Sequence, residues 1–392
     1  MKKGLAMILC LMLMMTSVPS VSYAAFEEFR EYKAEFEEYV IEQLMDEAKA
    51  IDISSHRISA DAISQIYFDI LYKHPQLFYV DRRLEYTHTN DKRVIIIEPA
   101  YLYTGQERRI MAEQYEMLIK DIAEYASAAS TVIGQLMLVN DYFCVNFEFD
   151  TDDNIHDPYA LLMEKKGVCE AYALAFGAVL NVLGIPNEYV LSKTMNHAWN
   201  MVQVDGEWYH IDVTWNDPVD DMPLRARHDN FLCSDEVMKE NGYYGWETDI
   251  VAGNTQYDDA FWVDIKTPIP VFRDHLIYAD TKPDKEGNRI IHAWNPATGE
   301  TKDIGFSNIY GFDGNGKYNE GYSAIFTNGE NLYYVSAESI FLLGEDGTST
   351  LMYSNSDTSQ MIWSAWVQNG DLLVLTGKDL KKDSKVKTLF WE

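Results

Sequence analysis

The chain of 392 residues is long enough for two or three domains at roughly 100–200 residues each. With 47% hydrophobic and 24% charged residues it has the means to bury a core, which excludes global disorder. Lys plus Arg number 32 against 62 Asp plus Glu, and the resulting formal charge of −30 opposes binding to nucleic-acid phosphates or anionic membranes.

Lys2 and Lys3 precede an apolar run from Leu5 to about Met15, and Ser22-Tyr23-Ala24 places small residues at the two key positions of a cleavage site. This is the pattern of a secretory leader over residues 1–24, cut near Ala24. The run is shorter than the ~20 residues of a spanning helix and no later stretch is longer, so a secreted chain without membrane insertion is expected. Cys10 follows Ile8-Leu9 rather than a small residue, which argues against a lipid anchor. Cleavage leaves Cys144, Cys169 and Cys233. In an exported protein an odd set means at least one thiol that is free or paired between chains. A leader with few cysteines suits a bacterial exoprotein.

Residues 25–130 read as an α+β entry domain. Phe29, Tyr32, Phe36, Val40 and Leu44 recur at helical spacing between about Phe26 and Ala50. A second helix is expected from about Ser59, as N-cap, to Tyr72, with Ile63, Ile66, Tyr67 and Ile70 on one face and His74-Pro75 as its stop. Leu77–Val80, Leu84–Thr87 and Val94–Ile97 look like short strands, and a helix from about Gly105 to Tyr125 follows.

Residues 131–257 form the second unit. Asp150, Asp152, Asp153 and Asp157 lack the glycine and terminal glutamate of a calcium loop and are expected to be a solvated loop. Gly167-Val168-Cys169-Glu170 then opens an apolar helix that Gly184 stops. Cys169 falls in its first turn, where unpaired N–H groups and the helix dipole favour a thiolate. Downstream, two alternating runs flank Asp205-Gly206 and predict a β-hairpin. A two-residue turn pairs Val204 with Glu207, which carries His197 opposite Thr214 and Trp199 opposite Asp212. Asp212 is then diagonal to His197 at roughly 7–8 Å between Cα atoms. His210 shares that face and is expected to support the site or face solvent rather than catalyse. Cysteine, histidine and aspartate have the residue types of nucleophile, base and orienter in acyl transfer: His197 takes the thiol proton and Asp212 holds the imidazole.

Beyond about Asp258 the texture changes. Apolar runs such as Leu276-Ile277-Tyr278, Leu332–Val335 and Leu372–Leu375 alternate with Gly, Asn and Asp turns, giving residues 258–392 as an all-β module. The repeat is similar to propeller blades, yet only about three units fit, fewer than the roughly four to eight of a closed propeller. An open β-meander is expected, separated by a linker near Asp258–Phe261 and Pro268/Pro270. Tyr333, Tyr334, Trp363 and Trp366 are candidates for a carbohydrate or peptide surface, with core packing as the commoner use.

Gly-Val-Cys-Glu-Ala-Tyr-Ala at 167–173, His-Ala-Trp-Asn at 197–200 and Trp-Tyr-His-Ile-Asp-Val-Thr-Trp at 208–215 resemble, in this order, the transglutaminase-like core of the papain-like cysteine enzymes. The resemblance implies an α+β core in which a helix bearing Cys169 packs on an antiparallel sheet, with Cys169, His197 and Asp212 as the catalytic triad. Many animal transglutaminases stabilise the oxyanion with an upstream Trp indole, but the first Trp here is Trp199. The backbone N–H of Cys169 remains available, with Tyr159 or Asn154 as a second donor and Trp199 beside them. No His/Cys cluster has zinc spacing and no Gly-rich loop opens a helix, so no metal or cofactor is expected. The implied function is a secreted cysteine enzyme that attacks a glutamine side-chain amide or peptide bond of a protein or peptide. It forms a thioester and passes the acyl group to an amine or water. The alternative is a non-catalytic extracellular binding protein that uses this domain as a scaffold and the β-rich C-terminus for recognition.

Overall fold

The computed structural model describes residues 33–219, 224–285, 288–307, 325–336, 338–368, 370–379 and 383–389. The expected leader and the beginning of the first expected helix lie outside the described residues.

In helix α1 (Lys33–Met45), Phe36, Val40 and Leu44 make one buried stripe at helical spacing. Strand β1 (Ile51–Asp52) follows, then α2 (Ile63–Lys73), which buries Ile63, Ile66, Tyr67, Ile70 and Leu71. This helix begins at Ile63 rather than after Ser59, because Ser59 bridges to Arg93 and its carbonyl accepts the N–H groups of Ala62 and Ile63. Of the strand expected at Leu77–Val80 only Val80 is extended: Leu77 ends a 3-10 turn (Pro75–Leu77), and Phe78 and Tyr79 form a turn. Strand β2 (Val80–His88) and strand β3 (Val94–Tyr101) complete an antiparallel sheet in the order β1-β3-β2. Helix α3 (Gly105–Ala126) lays Tyr115, Ile119, Ile122, Ala123 and Ala126 against the core.

Helix α4 (Val132–Asn146) starts at Thr131, whose hydroxyl accepts the Gly134 N–H at 3.2 Å. Strand β4 (Glu148–Phe149), helix α5 (Pro158–Glu164) and strand β5 (Lys166–Gly167) lead into α6 (Cys169–Leu183). Residues 170–180 are all buried, which is why this helix is apolar all round: it is the axis of the domain. Gly184, at φ 71°, caps it in the left-handed conformation. One face of α6 meets an antiparallel sheet in the order β6 (Asn187–Ser192), β7 (His197–Val204), β8 (Glu207–Ile211), β9 (Phe231–Cys233). Close approach requires Gly177, where a Cβ would stand 2.9 Å from Asn187 Oδ1 and 3.3 Å from Asn200 Nδ2. Helix α7 (Val213–Asn216) and helix α8 (Asp235–Glu240) close the domain.

The C-terminal part comprises three antiparallel meanders. The first contains β10 (Val271–Phe272), β11 (His275–Ala279), β12 (Arg289–Trp294) and β13 (Thr301–Ser307); the second β14 (Ile325–Thr327), β15 (Leu332–Val335), β16 (Ser339–Leu343) and β17 (Ser349–Ser354); the third β18 (Met361–Gln368), β19 (Asp371–Gly377) and β20 (Lys385–Leu389). Each pairs its strands in chain order, and no closed barrel forms among the described residues. Leu332 and Tyr334 pack toward the first sheet while Tyr333 and Val335 pack toward the third, so the middle sheet is covered on both faces. That explains its unbroken apolar run. Tyr333, Tyr334 and Trp363 are buried, which is the core packing expected for most of these aromatics, while Trp366 is half-buried.

The segment expected as a linker is packed into the core. Trp262, Ile265 and Ile269 are buried, and Phe261 stacks on Tyr278 at 3.8 Å. His228 joins Asp141 Oδ1 through Nε2 (2.8 Å) and the Ile265 carbonyl through Nδ1 (3.0 Å), while Asp141 Oδ2 accepts the Ile269 N–H at 2.7 Å. One hydrophobic core therefore runs from Phe36 through α4 and α6 to Leu276 of the first meander. No described helix is long and apolar enough to cross a membrane. Among the described residues no three His, Cys, Asp or Glu side chains are grouped to hold a metal ion.

Candidate active site

Cys169 is the first residue of α6, entered from an extended Val168. Its thiol is half-buried and free, whereas the free thiols of Cys144 and Cys233 are buried. The entering chain is fixed: β5 runs parallel to β4, with Phe149 opposite Gly167, and Val168 donates its N–H to the Ile155 carbonyl at 2.9 Å. Asp150, expected in a solvated loop, is buried instead. It accepts the N–H groups of Asp152, Asn154 and Ile155 at 2.9–3.1 Å and the Lys166 ammonium at 2.9 Å. Burial opposes its charge, but Lys166 and the backbone donors prevail and bring its pKa to about 2. Its role is to clamp the loop before the nucleophile.

The hairpin has the register its two-residue turn demands, from Val204 opposite Glu207 to Asn200 opposite Ile211. There β8 stops. The expected Trp199–Asp212 and His197–Thr214 pairs do not form, because Asp212 becomes the N-cap of α7 and its Oδ1 accepts the N–H groups of Thr214 (2.9 Å) and Trp215 (3.1 Å). Capping keeps Asp212 close to His197: Oδ2 meets His197 Nε2 at 2.6 Å and accepts the Tyr243 hydroxyl at 2.6 Å. With Nε2 taken, Nδ1 is left for Cys169, which hydrogen-bonds to this histidine. Burial disfavours the imidazolium, yet the charges of Asp212 and Cys169 and their hydrogen bonds raise the His197 pKa to about 10. His197 is therefore the group that holds a proton at neutral pH. The stabilisation it brings is complete below the ordinary histidine pKa of about 6.5 and is lost as pH rises through about 10.

Aromatic rings hold the imidazole. Trp199 stacks on it at 5.7 Å, and Trp215, 40% exposed, lies 5.0 Å away. The Trp199 indole N–H is donated to His210 Nδ1 at 2.9 Å, and His210 Nε2 meets Asp235 Oδ1 at 2.8 Å. This chain requires neutral His210 with its hydrogen on Nε2, and burial lowers its pKa accordingly. His210 is thus a buried support for Trp199. Beside the nucleophile, Glu170 is buried against Arg82 of β2 and lies 3.5 Å from His156 Nδ1. Burial favours its neutral form, but the His156 hydrogen bond and Arg82 outweigh it and lower its pKa.

The structure brings Cys169, His197 and Asp212 together, with Trp199 packed against them. It does not bring in the other two suggested donors: the Tyr159 hydroxyl is donated to Gln114 Oε1 at 2.8 Å, and Asn154 is exposed. Tyr243 escaped sequence reasoning, since it reaches Asp212 from a loop with no periodic signal. Trp215 was visible only as part of a run read as strand.

Residues 120–213 match the model of the transglutaminase-like superfamily, a span that includes all three residues. The chain carries a transglutaminase-like domain. A peptide-N(4)-(N-acetyl-beta-glucosaminyl)asparagine amidase of Caenorhabditis briggsae is 39% identical over 59 residues, 14% of this chain and 10% of that protein. The chain thus spans about a tenth of the length of this curated relative. Among solved structures, a TGase is 18% identical, with a TM-score of 0.25, covering 34% of this chain and 44% of that one. A candidate cysteine protease from Cytophaga hutchinsonii is 16% identical, with a TM-score of 0.24, covering 36% and 64%. The matched residues take in α4, α5, α6 and strands β6–β8, while β9 and the flanking sheets lie outside them.

Proposed function

We propose that this protein is an exported cysteine enzyme that attacks an amide of a protein or peptide and transfers the acyl group to an amine or water. The observation that carries the reading is His197, hydrogen-bonded on one side to Cys169 and on the other to Asp212, with its pKa raised to about 10. With the proton on His197, the sulfur attacks the amide carbon directly. His197 protonates the leaving nitrogen as the C–N bond breaks, and a thioester remains on Cys169. Neutral His197 then takes a proton from an incoming amine or water, which attacks the thioester and restores the starting pair. Asp212 stabilises the imidazolium in both states. The name of the amidase relative supports an amide as the target. A pure binding scaffold would not need a buried imidazolium aimed at a half-buried thiol.

The test is incubation with casein and a fluorescent primary amine. Amine incorporation reports transfer, ammonia release without incorporation reports side-chain hydrolysis, and new chain termini report peptide cleavage. The reading requires one of these products from the wild type and none from Cys169→Ala. No product from either, or equal product from both, contradicts it.

A further inference from the structure

Attack of Cys169 on an amide creates an oxyanion; with Tyr159 committed to Gln114 and Asn154 exposed, the donor left from those expected is the N–H of Cys169 itself. Such sites ordinarily present more than one donor. Building on that reading, we infer that the Tyr189 hydroxyl is the second donor to the oxyanion. Tyr189 lies on β6 opposite Asn200, whose Nδ2 is donated to the Ala173 carbonyl of α6 at 3.1 Å, so this face of the sheet lies against the nucleophile's helix. Asn187, on the same face, is level with Gly177. The step from Asn187 to Tyr189 therefore advances toward the start of α6, and a phenol is long enough to reach Cys169 and Glu170. Both of their charges act on Tyr189.

The ring is held on its other side. Tyr72 of α2 stacks on Tyr189 at 4.5 Å and 13°, and Arg82, which pairs with Glu170, lies over Tyr72 at 5.5 Å. Burial, followed by the negative charges nearby, pushes the phenol pKa well up, so Tyr189 keeps its hydrogen at any working pH. Neighbouring tyrosines are committed elsewhere: Tyr159 to Gln114, Tyr172 to Asp217 and Tyr243 to Asp212. The Tyr189 hydroxyl has no hydrogen-bond partner among the described residues. In the step itself the sulfur–carbon bond forms as the carbonyl π pair moves onto oxygen. On collapse that pair returns and the leaving group departs, so a donor held at the oxygen acts mainly in the transition state.

The test compares two reactions of Cys169 in the full chain. p-Nitrophenyl acetate acylates the thiol through an oxyanion, whereas iodoacetamide alkylates it by direct displacement at carbon without one. Tyr189→Phe keeps the ring stacked on Tyr72. It should slow the acylation burst by about 10²-fold and leave alkylation unchanged, which also verifies that fold and thiol are intact. Unchanged acylation, or equal losses in both reactions, would overturn the inference. Absence of any acylation of Cys169 in the wild type would instead overturn the enzymatic reading on which it rests.

Discussion

Asp212→Asn should lower turnover by roughly 10⁴-fold while the fold survives. The Asn carbonyl oxygen can still accept the N–H groups of Thr214 and Trp215 and cap α7. Its amide then faces His197 Nε2, where the carboxylate oxygen stood at 2.6 Å. An NH₂ group must donate, so Nε2 must accept, and the imidazole hydrogen moves to Nδ1 with no anion left to stabilise a cation. His197 can no longer hold the proton of the pair, and the Tyr243 hydroxyl also loses its acceptor. The check is kcat for the variant beside an unchanged urea midpoint. Equal kcat in variant and wild type would show that Asp212 serves only as a cap.

The second large effect is on stability. Asp141→Ala should destabilise the protein by about 1–3 kcal/mol for each of the two buried hydrogen bonds it removes. Both nitrogens of buried His228 face oxygens, Asp141 Oδ1 and the Ile265 carbonyl. Without the carboxylate, that ring and the Ile269 N–H lose their acceptor inside the core. This is a large share of the roughly 5–15 kcal/mol that holds a typical domain together. Because the contact ties α4 to the segment entering the first meander, denaturation of the variant should also expose cleavage sites between 258 and 272. A midpoint within error of wild type would show that the segment is held by apolar packing alone.

The meeting of Cys169, His197 and Asp212 was legible because each part rests on local chemistry. Gly184 fixes where α6 ends, the apolar run fixes that it is buried, and Asp205-Gly206, at φ 52° and 87°, fixes the hairpin register. What followed Ile211 was not legible. Val213, Thr214 and Trp215 continue an alternating pattern that reads as strand, and the Asp212 carboxylate overrides it by binding the backbone two and three residues on. Asp150 misled for a related reason: acids in a run look solvated until a fold aims three N–H groups and a lysine at one of them. The expected linker combined a composition shift with Pro268 and Pro270, yet Trp262, Ile265 and Ile269 are buried within the same stretch. Tyr243 and Tyr189 reach the site through tertiary packing, which no spacing in the sequence encodes.

The most direct test of the account is the alkylation rate of each cysteine against pH, read by mass spectrometry in wild type and in His197→Ala. Burial pushes the Cys233 pKa to about 12 and that of Cys144 well up, so neither thiol should react in the folded protein. Cys169 is half-buried, and His197 retains its proton until pH approaches about 10. Cys169 should label rapidly and selectively at mildly acidic pH, and His197→Ala should abolish this. Labelling of Cys169 no faster than that of Cys233, or unaffected by the loss of His197, would contradict it.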